Sequence, residues 1–323
     1  ALASMSGSAA ADAAVLGTML IPMMREHGYN VPRSAGLIAS GSVIAPVLPP
    51  SVALIVFGVV ANVSVGKLFL AAIVPGLLMG LALVVAWSVV SRRESTTQLP
   101  RQPMAVRLRS GVDAIWALAM PIGIVGGMRF GIFTPTESAV FACVYAFLVG
   151  MFVYRELRWN SLREILVRSA KTTAVVVFLI SAALVSAWMI TVSNLPDQVA
   201  GMLRPFMGDP RLLMFIMMLI VAVVGTALDF APTVMILTPV LVPIAVQAGI
   251  DPVYFGVLFT INNSIGLITP PVGIVLNVLS GVSNISLDSV AKGALPFLLA
   301  QFLVLFLLVA FPQIVTTPMH WFR

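Results

Sequence analysis

Polar side chains and helix-breaking residues are concentrated in one stretch near the C-terminal end of an otherwise apolar chain. This stretch runs from Asn262 to Gly273 and contains Thr269, Pro270 and Pro271. Proline has no amide hydrogen and clashes with the preceding turn, so a helix must break here and leave carbonyls without helical partners. Inside a bilayer, irregular backbone is tolerated only where it is buried in protein or lines a watery cavity. The stretch is therefore predicted to form an ion or substrate site.

A constant offset of 221 residues relates this stretch to an earlier one. The offset pairs Pro22 with Pro243, Gly28 with Gly249, Pro49 and Pro50 with Pro270 and Pro271, and Pro75 with Pro296. One register for all these pairs predicts two copies of one unit, residues 1–91 and 208–312. We assign residues 92–207 to connecting and scaffold helices and residues 313–323 to a C-terminal tail. Copy one lacks the apolar arm that precedes the polar turn of copy two, so we expect further N-terminal residues in the natural protein.

Each copy has one carboxylate and one hydroxyl four residues apart where an apolar arm begins. The pairs are Ser8 with Asp12 and Asp229 with Thr233, in exchanged order. Residues at this spacing share one face of a helix. An ordinary capped and solvated helix end is the alternative, and it suits Asp229 less well because no other charge lies between Leu212 and Ile250.

The composition is that of an all-α polytopic membrane protein. Hydrophobic residues make up 60% of the chain and charged residues 9%, and the mean hydropathy is +1.07. Soluble proteins with an ordinary core do not have this composition. The net charge of +6 comes from arginines and lysines in a few segments, so it reports on topology and contact with the lipid bilayer, with no sign of nucleic-acid binding. The single Cys143 excludes an internal disulfide and a cysteine metal cluster.

The apolar runs and breakers predict the order of membrane elements. We expect broken helices over 34–60 and 253–281, lateral arms over 62–75 and 282–292, and crossings over 77–90, 112–127, 137–153, 172–192 and 295–311. Residues 212–250 as one helix would measure roughly 58 Å, about twice the hydrocarbon thickness. They are therefore predicted to form a re-entrant hairpin with Asp229 at its tip.

Loop charges predict the orientation. The basic segments 92–109 and 155–171 are expected on the cytoplasmic side, and the loop 194–211 on the external side. Between the partial hairpin at the start of copy one and the hairpin of copy two, the chain is predicted to cross five times, over 34–60, 77–90, 112–127, 137–153 and 172–192. Because five is odd, the two copies are predicted to be inverted relative to each other across the membrane, the arrangement of an inverted-repeat transporter.

The polar residues of both copies suit a hard cation such as Na⁺, which prefers oxygen ligands. Predicted cation ligands are Ser6, Ser8, Asp12, Ser42 and Pro46 in copy one and Thr226, Asp229, Thr233, Asn263, Gly266 and Thr269 in copy two. Predicted substrate contacts are Ser6, Ser8, Ser42, Asn262 and Asn277. The positive ends of half-helices suit a carboxylate substrate. Hydrogen bonding between helices is the alternative role for Asn262, Asn263 and Asn277.

Enzymatic motifs are not apparent. His27 and His320 have no ligand set nearby in sequence, and no glycine-rich loop has the P-loop spacing with its lysine. The sequence therefore predicts no enzyme activity and no direct use of ATP.

The motifs together resemble the large membrane subunit of tripartite ATP-independent periplasmic (TRAP) transporters, along the entire chain. They are SGSAAAD at 6–12, PVLPPS at 46–51, FTPTE at 133–137, TP at 238–239, GIDP at 249–252 and GLITPPVG at 266–273. Residues 181–196 and 260–281 look most like the branch that carries sugar acids such as diketo-gulonate.

This resemblance implies an elevator transporter of the bacterial inner membrane that is driven by a Na⁺ gradient. It implies two protein partners, a soluble periplasmic substrate-binding protein and a small four-helix membrane subunit. The cargo would be a small organic acid, either a sugar acid or a dicarboxylate. Two other functions stay open: a stand-alone Na⁺/carboxylate symporter of the divalent-anion type, and a membrane scaffold that transports nothing.

Overall fold

A computed structural model describes residues 7–92 and 103–320, which form helices and, within these ranges, no β-strand. The helices are α1 (Ala9–Glu26), α2 (Val31–Ser42), α3 (Val52–Val60), α4 (Val65–Ser91), α5 (Met104–Asp113), α6 (Ile115–Arg129), α7 (Pro135–Leu148), α8 (Trp159–Val192), α9 (Leu195–Leu203), α10 (Pro210–Ala227), α11 (Phe230–Gln247), α12 (Pro252–Gly266), α13 (Ile274–Ser283), α14 (Leu287–Ala310) and α15 (Gln313–His320). A π-helical segment, Val149–Val153, extends α7, and a 3₁₀ turn, Arg204–Phe206, follows α9.

Six helices in the described ranges are long and apolar enough to cross a membrane. The apolar segments are Val65–Ser91, Pro135–Val153, Trp159–Ala182, Pro210–Ala227, Phe230–Gln247 and Leu287–Ala310. The pair α5 and α6, which is bent by 49°, adds a seventh candidate. These helices confirm the predicted class of all-α polytopic membrane protein.

Within the described ranges, residues 103–185 form one compact unit. In it α6 packs against α7, and Phe133 stacks on Phe141 with ring centroids 5.3 Å apart. Thr134 starts α7 with a capping box, because its hydroxyl accepts from the amide of Glu137 while that carboxylate accepts from the amide of Thr134. The remaining described residues, 7–92 and 186–320, form a second unit that contains the described parts of both predicted copies.

In the second unit, helix ends recur at the offset of 221 residues. Helices α1 and α11 correspond at both ends. Ser8 and Asp229 cap these two helices, and Asn30 and Asp251 cap α2 and α12 in the same register. The caps match in position although the side chains differ, because Ser, Asn and Asp can all accept a hydrogen bond from a first-turn amide.

Both predicted broken helices are broken in the structure. The first is interrupted between Ser42 and Val52, and the second between Gly266 and Ile274. Each break contains a cis bond between its two prolines. The stretch predicted as a re-entrant hairpin is likewise divided, with α10 and α11 separated by Leu228 and Asp229 and in contact with each other.

Three elements differ from the sequence-based prediction. The lateral arms and the crossings that follow them form single helices, because α4 and α14 continue through Pro75 and Pro296. Helix α8 begins at Trp159, so Arg163, Arg168 and Lys171 lie within it. The predicted loop 194–211 contains α9.

The two copies share one core. The arm after each polar turn packs against the second half of the other copy's broken helix, so that α1 contacts α13 and α11 contacts α3. Phe57 of α3 lies against Phe255 and Phe259 of α12, with ring centroids 6.3 and 5.5 Å away. All three rings are fully buried. Neither copy therefore buries its apolar surface alone.

One arginine stabilises the contact between α1 and α13. Arg25, in the last turn of α1, donates a hydrogen bond of 3.1 Å to the carbonyl of Ser283, the last residue of α13. Its charge is thus close to the negative ends of two helices, where a cation is stabilising.

We expect Arg25→Gln to lower the free energy of unfolding by ~1–2 kcal/mol, because a part-buried bond from a charged donor is lost. Thermal unfolding of the purified chain measures this loss. The matched variant is Arg92→Gln, which removes an exposed arginine at the C-terminal cap of α4. Equal losses in both variants would contradict a specific role for the bond to Ser283.

Candidate functional site

The end of α10 meets the break of the second broken helix through two glycines. A Cβ added to Gly266 would lie 2.5 Å from the carbonyl oxygen of Gly225 and 3.0 Å from its Cα. Contacts this short are not possible for a real side chain, so the two backbones can approach each other only because residue 266 is glycine. The tip of the second hairpin is therefore seated directly on the break.

Asn263 lies beside this glycine contact. A Cβ at Gly225 would be 2.9 Å from its Oδ1 atom. The side chain is fully buried, and neither Oδ1 nor Nδ2 has a hydrogen-bond partner among the described residues. An unpaired buried amide costs ~1–3 kcal/mol. Such a group is expected where a ligand completes the site.

The surroundings of Asn263 favour a cation. Helix α10 ends at Ala227, and the last carbonyls of a helix have no partner within it and carry partial negative charge. The carbonyl of Gly225 belongs to this end. Amide and carbonyl oxygens at one place are the ligands that hard cations prefer.

A narrow crevice lies between the hairpin tip, residues 225–228, and both sides of the break, and it leaves no space for a water-sized sphere. Pockets for organic ligands measure roughly 300–1,000 Å³. The crevice is therefore too small for a sugar acid. A cavity of about 220 Å³ lies at the opposite end of α10, beside Arg211 and Asp251, and so away from this tip.

The first copy has a related arrangement. A Cβ at Gly7 would lie 3.4 Å from the carbonyl oxygen of Pro50 and 3.6 Å from the amide nitrogen of Val52. The polar turn before α1 thus lies against the start of α3. Ser51 caps α3 by accepting from the amide of Leu54, and its hydroxyl donates to the carbonyl of Pro46 across the break.

The N-terminal end of α1 also reaches the second break. Gly17 lies against Leu279, and further along both helices Arg25 reaches the carbonyl of Ser283. Gly17 of α1 is next to Leu279 of α13, and the later Arg25 is next to the later Ser283. The two helices therefore run parallel. At 1.5 Å per residue, counting back from Gly17 brings Ala9 to the level of the break at 267–273. The positive ends of α1, α3 and α13 therefore converge.

Four predicted hydroxyl ligands each donate to a carbonyl three or four residues earlier in the chain. These bonds are Ser42 to Ile38, Thr226 to Val223, Thr233 to Asp229 and Thr269 to Ile265, each 2.8 Å long. A hydroxyl that donates in this way keeps oxygen lone pairs that can still accept. Ser8 accepts from the amide of Ala11 at 3.4 Å, and Ser6 lies outside the described residues.

The two predicted carboxylates have different surroundings. Asp12 is buried in the first turn of α1, with 6% of its surface exposed. Asp229 is exposed, and its Oδ1 accepts from the amide of Phe230 at 2.8 Å. In the described contacts Asp229 therefore caps its own helix.

Two predicted asparagines make structural hydrogen bonds. The buried Asn262 donates from Nδ2 to the carbonyl of Met218 on α10, while its Oδ1 has no partner among the described residues. Asn277 donates to the carbonyl of Val272 at 2.6 Å, within the break just before its own helix. Only the Asn262 bond joins two helices, which is the alternative role given above.

Gly225 was not among the predicted site residues, although it lies at the centre of the contact. The signal for it was present, because a glycine stands next to Thr226 at the end of an apolar arm. Only its closeness to Gly266, which depends on the packing of α10 on α12, identifies its role.

Comparison with known proteins identifies the family. The profile described as tripartite ATP-independent periplasmic transporter, DctM component, matches residues 1–314. The chain belongs to this family. It is 47% identical over 323 residues to the 2,3-diketo-L-gulonate TRAP transporter large permease protein YiaN of Escherichia coli K12, covering 99% of this chain and 75% of that protein.

Two further relatives have the same kind of name. A putative TRAP transporter large permease protein of Haemophilus influenzae is 47% identical over 322 residues, with 100% of this chain and 76% of that protein covered. The sialic acid TRAP transporter large permease protein SiaM of Vibrio cholerae is 38% identical over 309 residues, with 96% and 72% covered.

Membership of the DctM family confirms the resemblance drawn from the motifs, and the similarity to a diketo-gulonate permease fits the sugar-acid branch. DctM-family proteins are transporter permeases, so this chain is a transporter component and not an enzyme. The family and the apolar helices also confirm the predicted location in the bacterial inner membrane.

Proposed function

We propose that this DctM-family chain is the transmembrane subunit of a Na⁺-coupled importer of small organic acids, sugar acids or dicarboxylates. In this proposal a soluble periplasmic binding protein delivers the acid, and a small four-helix membrane subunit pairs with the chain. The hairpins and broken helices move together against the scaffold in an elevator mechanism. The relatives named for diketo-gulonate and sialic acid favour the sugar-acid class.

Asn263 carries the proposal of Na⁺ coupling. It is a fully buried amide without a partner among the described residues, next to the carbonyl of Gly225 and the negative end of α10. A Na⁺ ion among these oxygens would neutralise the helix end and hold the hairpin tip on the break. The ion would thereby order the tip before the acid binds.

The convergence of helix starts supports an acidic cargo. The N-terminal ends of α1, α3 and α13 carry partial positive charge and free amides, which stabilise a carboxylate. A sugar acid does not fit the crevice at Gly225. We therefore assign the acid to the convergence of helix starts and the cation to the crevice.

Uptake into lipid vesicles tests the function. The chain is reconstituted with its small membrane subunit, and entry of labelled 2,3-diketo-L-gulonate is measured with and without an inward Na⁺ gradient and with and without the binding protein. Uptake that needs both the Na⁺ gradient and the binding protein supports the proposal. Uptake without the binding protein would indicate a stand-alone symporter, and no Na⁺-dependent flux under any condition would indicate a scaffold.

We expect Asp229→Asn to weaken the apparent Na⁺ affinity about tenfold. An asparagine still caps α11, so the variant removes the charge and keeps the helix start. Loss of a charged partner costs ~1.5–3 kcal/mol, and each 1.4 kcal/mol is about tenfold. The Na⁺ dependence of uptake measures the change. Unchanged dependence would remove Asp229 from the cation site.

A further inference from the structure

The short helix α5 ends level with one end of an apolar span of its unit. Tyr154 follows the apolar span Pro135–Val153 and donates its hydroxyl to the carbonyl of Asp113 at 2.8 Å. Within that span, the hydroxyl of Tyr145 donates to the carbonyl of Trp116, which lies three residues after Asp113, near the start of α6. Asp113 is therefore level with the end of the span. Helix α5 ends at Asp113 and is bent by 49° from α6, so it turns away from the direction of α6 at this level.

Helix α5 has an apolar face with arginines beside it. Met104, Leu108 and Val112 are spaced four apart and so share one face. Their side chains are 66%, 61% and 64% exposed, and no residue of α5 is buried. Arg107 and Arg109 stand on either side of Leu108. Helices of this kind lie in the interface, where long basic side chains extend from the acyl boundary to the phosphates.

Other residues at this end of the unit are typical of a membrane interface. Trp116 is 46% exposed and Trp159 is 74% exposed, and tryptophan is enriched where acyl chains meet headgroups. The charged residues near this level are Arg107, Arg109, Arg155, Arg158 and Arg163 against Asp113, Glu156 and Glu164. The excess is positive, so it complements anionic headgroups.

We propose that α5 is an interfacial helix that binds anionic phospholipid, with Leu108 among the acyl chains and Arg107 and Arg109 on the headgroup phosphates. Continuity with the apolar helices of the same unit argues for lipid over a soluble partner. The basic segments 92–109 and 155–171 are predicted to lie on the cytoplasmic side, so this surface would face the cytoplasmic leaflet. The assignment does not depend on the transported substrate or the coupling ion.

Two fluorescent labels test the orientation of α5. In a Cys143→Ser background, an environment-sensitive dye is attached through L108C or through S110C, because Ser110 lies on another face of the helix. Each protein is reconstituted in vesicles of phosphatidylcholine, with or without phosphatidylglycerol. We expect quenchers on acyl chains to quench the dye at position 108 and aqueous quenchers to quench the dye at position 110.

The arginines are tested by the choice of lipid. At position 108, quencher-labelled phosphatidylglycerol should be preferred over quencher-labelled phosphatidylcholine, and R107Q or R109Q should each lower this preference about fivefold. The matched control is R129Q, which removes one arginine at the other end of α6 and should leave the preference unchanged.

Three results would overturn the proposal. Equal aqueous quenching at positions 108 and 110 would show that α5 does not lie in the interface. Protection of position 108 from both kinds of quencher would show that a protein partner or a second copy covers it. An equal loss of preference in R129Q would show that the effect is one of net charge.

Discussion

Gly266→Ala is expected to reduce Na⁺-driven uptake by about ten- to a hundredfold. The new Cβ would lie 2.5 Å from the carbonyl oxygen of Gly225 and 2.6 Å from its carbonyl carbon. These are backbone atoms that cannot rotate away, so the hairpin tip must move off the break. Overpacking of this kind costs ~1–3 kcal/mol, and each 1.4 kcal/mol is about tenfold. The uptake rate and the apparent Na⁺ affinity in vesicles measure the effect.

Gly281→Ala is the matched control for this variant. It adds the same methyl group to the same broken helix, at a position where a Cβ would meet no atom within 4 Å. We expect its uptake to stay close to that of the unaltered chain. Wild-type Na⁺ affinity in Gly266→Ala would mean that the seating of the tip on the break plays no part in coupling.

The breaks in the helices could be predicted from sequence because the responsible residues act locally. A pair of prolines removes two amide donors in succession, and the interruptions after Ser42 and Gly266 fall within the predicted broken helices. The starts of α1 and α11 could also be predicted from sequence, since Ser8 and Asp229 are capping residues in front of apolar runs.

Single prolines gave a false signal at Pro75 and Pro296. One proline removes one helical bond, and packing around the helix can compensate for that loss. Pro75 is buried, and α4 and α14 pack against each other. Packing around these helices therefore outweighs the tendency of a single proline to end a helix. Sequence periodicity and breaker residues alone do not reveal this packing.

The glycine contact and the unpaired amide could not be predicted, because both depend on packing between distant segments. Asn262 and Asn263 are adjacent and chemically identical in sequence. The packing of α10 on α12 gives one of them a partner, the carbonyl of Met218, and leaves the other without one among the described residues. The same tertiary contact brings Gly225 to Gly266.

Asn263→Leu should make the chain more stable without Na⁺ and remove its stabilisation by Na⁺. The buried amide has no partner among the residues described, so replacing it with an apolar side chain of similar size relieves a cost of ~1–3 kcal/mol. The same replacement removes an oxygen from the proposed cation site. Thermal unfolding with Na⁺ or with choline in its place measures both effects, and uptake should lose its Na⁺ dependence.

For Asn263→Leu the stability without Na⁺ should rise while the stabilisation by Na⁺ is lost, and this combination distinguishes a ligand from a structural residue. The variant Asn262→Leu is the comparison. Asn262 donates to the carbonyl of Met218 and has only its Oδ1 without a partner among the described residues, so its replacement should bring no gain in stability without Na⁺ and should leave the stabilisation by Na⁺ intact. A residue retained only for packing would lose stability in both cases. If Asn263→Leu were less stable than the unaltered chain without Na⁺ and still gained stability from Na⁺, Asn263 would be a structural residue and the cation site would have to lie elsewhere.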